Sequence, residues 1–141
     1  MKARVIVCSD SAAAGASEDT TGPALVAGLR DLGCEVGDAV VVPDDIPAII
    51  DAIEAGAADV IVCTGGTGLG PRDVTPDAVL ALIDRELPGF GEAFRARGRA
   101  QTPLADLSRA VAGARGDCLL VAIPGSHGAI ADGLAVLGPL L

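Results

Sequence analysis

Aromatic residues are almost missing: Phe90 and Phe94 are the only two, with no Tyr and no Trp among 141 residues. That removes stacking platforms for single-stranded nucleic acid and an interfacial aromatic belt, and leaves the core to aliphatic side chains. Positive charge is scarce too. Lys2 and nine arginines face 19 acidic residues, a net charge of −9, and such a surface repels a polyanion rather than gathering it. No nucleic-acid partner is therefore expected. No apolar run is long enough for a membrane span or a secretory segment; the first, Val5-Ile6-Val7-Cys8, stops at Ser9-Asp10. The expectation is a cytoplasmic protein that engages no membrane. Cys8, Cys34, Cys63 and Cys118 form no Cys-x-x-Cys pair, and the one histidine, His127, is remote from any cysteine pair. Zinc is not indicated, and the thiols read as small buried hydrophobes in a reducing compartment.

What is present is an apolar half, enough for one domain over residues 1–141 with a core of its own. Short apolar runs alternate with stretches of helical period, the pattern of a parallel sheet covered by helices. Strands are expected at 4–8, 35–42, 60–63 and 118–123. Leu25, Leu29 and Leu32 place a helix at about 22–32, with Pro23 in its first turn and Gly33 at its end. Ile46, Ile49, Ile50 and Ile53 form the apolar stripe of a second helix that closes near Gly56. Further helices are expected at 75–85, with Thr75 as N-cap and Pro76 behind it, at 90–98, at 106–111 and at 129–137. The small-residue stretch 12–16 lies in a loop expected to be mobile. The fold class is α/β, a three-layer α/β/α sandwich with a mostly parallel central sheet.

Such sheets carry their functional loops beyond the carboxyl ends of the strands. Ser9-Asp10, Asp44-Asp45, the segment 64–73 and Pro124-Gly125-Ser126 should therefore converge on one edge. The strongest local signal is Thr64-Gly65-Gly66-Thr67-Gly68-Leu69-Gly70-Pro71-Arg72-Asp73. Its glycines let backbone N–H groups turn toward phosphate or carboxylate oxygens, and Arg72 adds a forked donor. It is neither a P-loop, which needs a lysine, nor the G-x-G-x-x-G dinucleotide fingerprint. Asp10, Asp44, Asp45 and Asp73 are oxygen ligands of the kind Mg²⁺ uses when it bridges carboxylates to a substrate's phosphates. Simpler roles remain open: helix capping for Asp44 and Asp45, a loop hydrogen bond for Asp73, a helix hydroxyl for Ser108, a solvated face for Arg95, Arg97 and Arg99. His127 lacks a serine elbow or paired metal ligands and is not expected to be catalytic. Backbone N–H groups at 124–126 can take another phosphate at a helix start.

The string Thr64-Gly-Gly-Thr-Gly followed by Arg72-Asp73-Val74-Thr75-Pro76-Asp77-Ala78 resembles the signature of a molybdenum cofactor biosynthesis family. That family contains the Mog-type molybdopterin adenylyltransferases, the MoaB proteins and the G domains of plant and animal homologues. Further segments match in the family's order: Ser9-Asp10, Asp19-Thr20-Thr21-Gly22, Val42-Pro43-Asp44-Asp45, Glu86-Leu87-Pro88-Gly89-Phe90-Gly91-Glu92, Leu107-Ser108-Arg109 and Pro124-Gly125-Ser126. The resemblance implies Mg²⁺-dependent adenylylation of molybdopterin by ATP, with pyrophosphate released. It implies that Asp44 and Asp73 are the essential acidic residues and hold Mg²⁺. It further implies that Thr64, Gly65, Gly66, Thr67 and Gly68 line the nucleotide site with Ser9, Asp10 and Arg72 nearby, and that Ser108, Gly125 and Ser126 face the pterin. A homotrimer, or a hexamer built from trimers, is the assembly it implies. The last loop departs from the family's usual Pro-Gly-(Ser or Asn)-Pro-Lys-Ala: here Ser126-His127-Gly128-Ala129 lacks the proline and the lysine. The alternative function is a non-catalytic molybdopterin-binding or assembly protein on the same scaffold.

Overall fold

The computed structural model describes all residues, 1–141. Strand β1 (Lys2–Cys8) is followed by a short helix α1 (Asp10–Ala13), helix α2 (Thr21–Asp31), strands β2 (Glu35–Val36) and β3 (Val40–Val42), and helix α3 (Ile46–Glu54). Then come β4 (Val60–Thr64), α4 (Thr75–Leu82), β5 (Arg85–Glu86), α5 (Pro88–Arg99) and a 3-10 turn over Pro103–Leu107. The chain ends with β6 (Val111–Arg115), β7 (Cys118–Ile123), α6 (His127–Leu137) and a closing 3-10 turn. One sheet runs β2-β1-β4-β7-β6-β5, with β3 also paired to β1. The pairs among β1, β2, β3, β4 and β7 are parallel, and β5 and β6 run antiparallel at the far side.

Parallel strands buried on both faces need apolar side chains pointing both ways, and β4, Val60-Ile61-Val62-Cys63-Thr64, is buried at all five positions. Val5, Val60, Val62, Val121 and Ile123 face a core completed by Leu25 and Leu29 of α2, Phe90 and Phe94 of α5, and Ile130 and Leu137 of α6. Ile6, Cys8, Ile61, Cys63 and Leu120 face Ile49 and Ile53 of α3 and Ala78 and Val79 of α4. The result is the three-layer arrangement expected, aliphatic apart from the buried Cys8, Cys34 and Cys63 and the stacked Phe90–Phe94 pair. No helix is long and apolar enough to cross a membrane.

Several local expectations are corrected. The 35–42 strand is two pieces, both on the same edge of β1, interrupted at Gly37-Asp38-Ala39. The loop after Ser9 begins as a helical turn, because Ser9 Oγ accepts from the Ala12 amide. Thr75 is the first helical residue of α4 rather than its cap; Val74 occupies the cap position without a side-chain bond, and Thr75 is fully buried. The helix expected at 106–111 is absent: residues 103–107 make the 3-10 turn, and Val111 already belongs to β6. Ser108 is therefore no helix hydroxyl; its Oγ accepts from the Ala110 amide. Leu32, expected on the buried stripe of α2, is 42% exposed because the helix has ended before it.

Candidate active site at the carboxyl edge of the sheet

The parallel strands β1, β3, β4 and β7 all end on one edge, at Cys8, Val42, Thr64 and Ile123. The loops that leave them are locked together by hydrogen bonds. Asp10 and Asp44 clasp each other: the Asp10 amide donates to Asp44 Oδ2 at 2.9 Å, and the Asp44 amide donates to Asp10 Oδ1 at 3.0 Å. Arg72 then lays its fork on Asp10, Nε to Oδ2 at 3.0 Å and Nη2 to Oδ1 at 2.9 Å. Those bonds hold the Asp10 carboxyl below the usual carboxylate range, the Arg72 contact being the largest cause and the Asp44 amide the next. Arg72 thus spends its fork on a neighbouring carboxylate in this structure. Asp45 turns away and caps α3, accepting from the Ala48 amide at 3.1 Å.

The Asp44 carboxyl is pushed the other way, upward, chiefly by burial, with the charges of Asp10 and Asp73 adding to it and the Asp10 amide opposing. Its Oδ1 is buried with no hydrogen-bond partner, and so is Thr75 Oγ1. Both atoms crowd the same point over Gly66, where a Cβ would lie 2.9 Å from Asp44 Oδ1 and 2.6 Å from Thr75 Oγ1. Gly65 (φ +101°) and Gly66 (φ +64°) adopt the left-handed region that other residues avoid, and a Cβ on Gly65 would sit 2.3 Å from the Cys8 carbonyl oxygen. Only glycine lets the loop pass this close to β1 and Asp44. Asp73 folds back into the loop, Oδ2 accepting from the Gly70 amide at 2.9 Å and facing Gly68 as well. Thr64 is buried, its hydroxyl tied to the Pro124 carbonyl at 3.1 Å.

Two clefts open here. One, of about 510 Å³, is lined by Ser9, Glu18, Asp19, Asp44, Thr64 and Gly65 among others; its neighbour, about 480 Å³, by Thr67, Gly68, Asp73, Phe94, Leu107 and Ser108 among others. Gly66, Pro124, Gly125 and Ser126 line both, so the clefts share a wall. Gly125 packs against Gly65, and Ser126 caps α6 by accepting from the Ala129 amide at 3.1 Å. The sheet edge thus gathers Ser9, Asp10, Asp44, the 64–73 segment, Ser108, Gly125 and Ser126, and leaves Asp45 outside. A separate cleft of about 470 Å³ lies at the opposite end of the sheet, between Glu54 of α3 and the Arg115–Cys118 turn, and contains none of these residues.

Arg109, present in the Leu107-Ser108-Arg109 segment but given no role by the sequence, is central to this site. Its guanidinium donates to the Gly68 and Asp73 carbonyls and to Asp77, and its amide donates to the Thr67 carbonyl. An arginine beside a serine gives no such signal by itself; only the fold brings β6's approach under the glycine loop. His127 reaches Thr20, Nε2 to Oγ1 at 3.0 Å, joining the start of α6 to the loop before α2. Arg95 holds the Ser108 and Ala110 carbonyls, while Arg97 and Arg99 pair with Asp132 and Asp106 at the surface.

A family model described as "Probable molybdopterin binding domain" matches residues 4–141. The chain belongs to that molybdopterin-binding family. Within it, the chain is 42% identical over 142 residues to the molybdopterin adenylyltransferase of Pyrococcus furiosus, covering 94% of this chain and 82% of that protein. It is 42% identical to the molybdenum cofactor biosynthesis bifunctional protein of Synechococcus elongatus, covering 99% of this chain and 44% of that protein. A similar bifunctional relative from Chlorobaculum tepidum is covered over 45% of its length, so the chain spans under half of these two relatives. A crystal structure of a molybdopterin biosynthesis protein from Mycobacterium abscessus superposes with a TM-score of 0.92 at 41% identity, covering 99% of this chain and 90% of that one. The three-layer α/β/α fold and the family read from the motifs stand.

Proposed function

We propose that this molybdopterin-binding chain is an enzyme that transfers the adenylyl group of ATP to molybdopterin in a Mg²⁺-dependent reaction. The observation that carries this reading is the pair of clefts meeting at one wall, with Asp44 in one and Asp73 in the other. A group transfer needs two ligands held side by side with their reacting atoms about 3 Å apart, and a shared wall of glycines and Ser126 supplies the meeting point. The adenylyltransferase names carried by relatives at 36–42% identity support it.

In the proposed step, a phosphate oxygen of molybdopterin bonds to the α-phosphorus of ATP while the bond to pyrophosphate breaks. The protein's part is positioning and neutralisation of charge. Thr64 to Gly68 line the nucleotide, with Ser9 and Asp10 beside it and Arg72 contributing positive charge. Ser108, Gly125 and Ser126 face the pterin, and the amides at the start of α6 offer donors to a phosphate. No three His, Cys, Asp or Glu side chains gather as a closed metal cage; Mg²⁺ takes one or two carboxylates and completes its shell with phosphates and water. Asp44, with its unpartnered buried oxygen, and Asp73 would hold it, and the ion would neutralise the phosphates' charge. The soluble small molecules ATP and molybdopterin are the partners proposed, in the cytoplasm, with a homotrimer or hexamer as the assembly.

The test is to combine protein, molybdopterin, ATP and Mg²⁺ and detect adenylylated pterin and pyrophosphate by mass spectrometry. Product should form, and Asp73→Asn should reduce its rate by about 100-fold or more with the fold retained. Normal turnover by that variant would remove Asp73 from the role. Pterin bound without any product would favour the non-catalytic assembly protein.

A further inference from the structure

We infer that Arg109 is a positioning residue that sets the shape of the glycine loop and the placement of Asp73, an inference that rests on the transferase reading for its catalytic consequence. The loop from Thr67 to Asp73 leaves β4 and must return to start α4. Within the loop, the Asp73 amide donates to the Gly70 carbonyl and the Gly70 amide to Asp73 Oδ2, a local turn made of two bonds. The Thr75 amide reaches the Gly66 carbonyl at 3.2 Å. Within the loop Asp73 Oδ2 packs close to Gly68, but no hydrogen bond of the loop itself fixes Thr67 and Gly68 against Asp73. Arg109 does so from outside: its amide donates to the Thr67 carbonyl at 2.8 Å, its Nε to the Gly68 carbonyl at 3.1 Å, and its Nη2 to the Asp73 carbonyl.

The fork is itself held. Asp77, in the first turn of α4, accepts from Nη1 at 3.2 Å and from Nη2 at 3.1 Å, so the guanidinium is oriented by a bidentate carboxylate before it reaches the two carbonyls. A planar fork with fixed donor directions serves both jobs; an ammonium, a single point of charge, cannot hold the Gly68 and Asp73 carbonyls and both Asp77 oxygens at once. Arg109 touches neither Asp44 nor any residue of the first cleft by these bonds, so its influence passes through the loop. The residue before it, Ser108, lines the second cleft with Gly68 and Asp73; one arginine therefore ties that cleft's wall to the loop.

The experiment compares Arg109→Lys, Arg109→Ala and Asp77→Asn with the parent protein by two readouts. Amide hydrogen exchange on the ligand-free protein reports the loop directly. Arg109→Lys should speed exchange at Gly70 and Asp73 by at least about 10-fold while β4 and β7 amides stay protected, and Arg109→Ala should do so more strongly. In the transfer assay, Arg109→Lys should raise the Mg²⁺ concentration for half-maximal rate by about 10-fold. Asp77→Asn, which keeps both carbonyl bonds, should fall between the parent and Arg109→Lys. Unchanged loop exchange in both arginine variants overturns the inference, as does a uniform loss of protection across the sheet, which marks a merely structural residue. Changed loop exchange with unaltered Mg²⁺ dependence also overturns it. If the parent protein turns over no ATP, the transferase reading fails by itself, and the exchange data still decide whether Arg109 shapes the loop.

Discussion

Asp44 and Asp45 are neighbours with different surroundings, and the difference is measurable. Asp44 accepts the Asp10 amide through one oxygen and leaves the other buried without a partner. Burial, followed in smaller measure by the charges of Asp10 and Asp73, raises its folded-state pKa. For a carboxyl raised on folding, the folded protein holds the proton more tightly than the unfolded chain. The cost of the charged form is absent below the unfolded pKa, grows as pH rises from there through the folded pKa, and is complete above it. Asp44→Asn removes that charge and keeps an oxygen for the Asp10 amide. The variant should therefore melt at neutral pH no lower than the parent, with a flatter Tm between about pH 4 and pH 7, while adenylyl transfer drops by about 100-fold or more. Thermal melts across that pH range, alongside the transfer assay, check both halves. A variant clearly less stable at pH 7 would contradict the burial argument. Asp44 was legible as a candidate because aspartates just past a strand end are exposed to a site edge; its orphaned oxygen was not, since burial depends on Gly66 passing above it.

Among the elements, α3 shows a cap read correctly in kind and resolved only by the fold. Either Asp44 or Asp45 satisfies the sequence rule for a residue preceding an apolar helix stripe, and the structure gives the bond to Asp45. Asp45→Ala should cost about 1 kcal/mol, a fall in Tm of roughly 3 °C for a domain of this size, with transfer activity kept within about 2-fold. A loss of activity matching that of Asp44→Asn would mean that both side chains serve the site. The helices α2 and α3 were visible through 3.6-residue spacing of Leu and Ile, and the parallel strands β1, β4 and β7 through short apolar runs. Strand β6, Val111-Ala112-Gly113-Ala114-Arg115, was not, because alanine and glycine carry little strand preference. It is a strand because β7 pairs with it along its length, Val111 opposite Ala122 through Arg115 opposite Cys118. The two residues between, Gly116-Asp117, were the available hairpin signal. The two-residue strand β5 is likewise a product of pairing, to Gly113 and Ala114.

Across the whole molecule, five ion pairs are spread over the surface, with every side chain but that of Asp132 more than a third exposed, and exposed pairs of this kind contribute little each. The net charge of −9 works against compactness through self-repulsion that salt screens. Raising NaCl from 10 to 200 mM should therefore increase the Tm, by about 1 to 3 °C, and a decrease would show the ion pairs to be the larger effect. At this scale the sequence by itself determined the layered α/β class, the aliphatic core and the set of loops that share one edge. Those follow from short-range periodicity and from the rule that parallel strands end together. The tertiary structure alone decided that Arg72 rests on Asp10, that Asp44 keeps an unpartnered oxygen, that Arg109 braces the glycine loop and that two clefts share a wall. Each of these depends on residues brought together from distant parts of the chain, such as Arg109 and Gly68 or Arg72 and Asp10. No local pattern encodes such a contact, because its partner and its direction are fixed only when the sheet sets β1, β4 and β7 side by side.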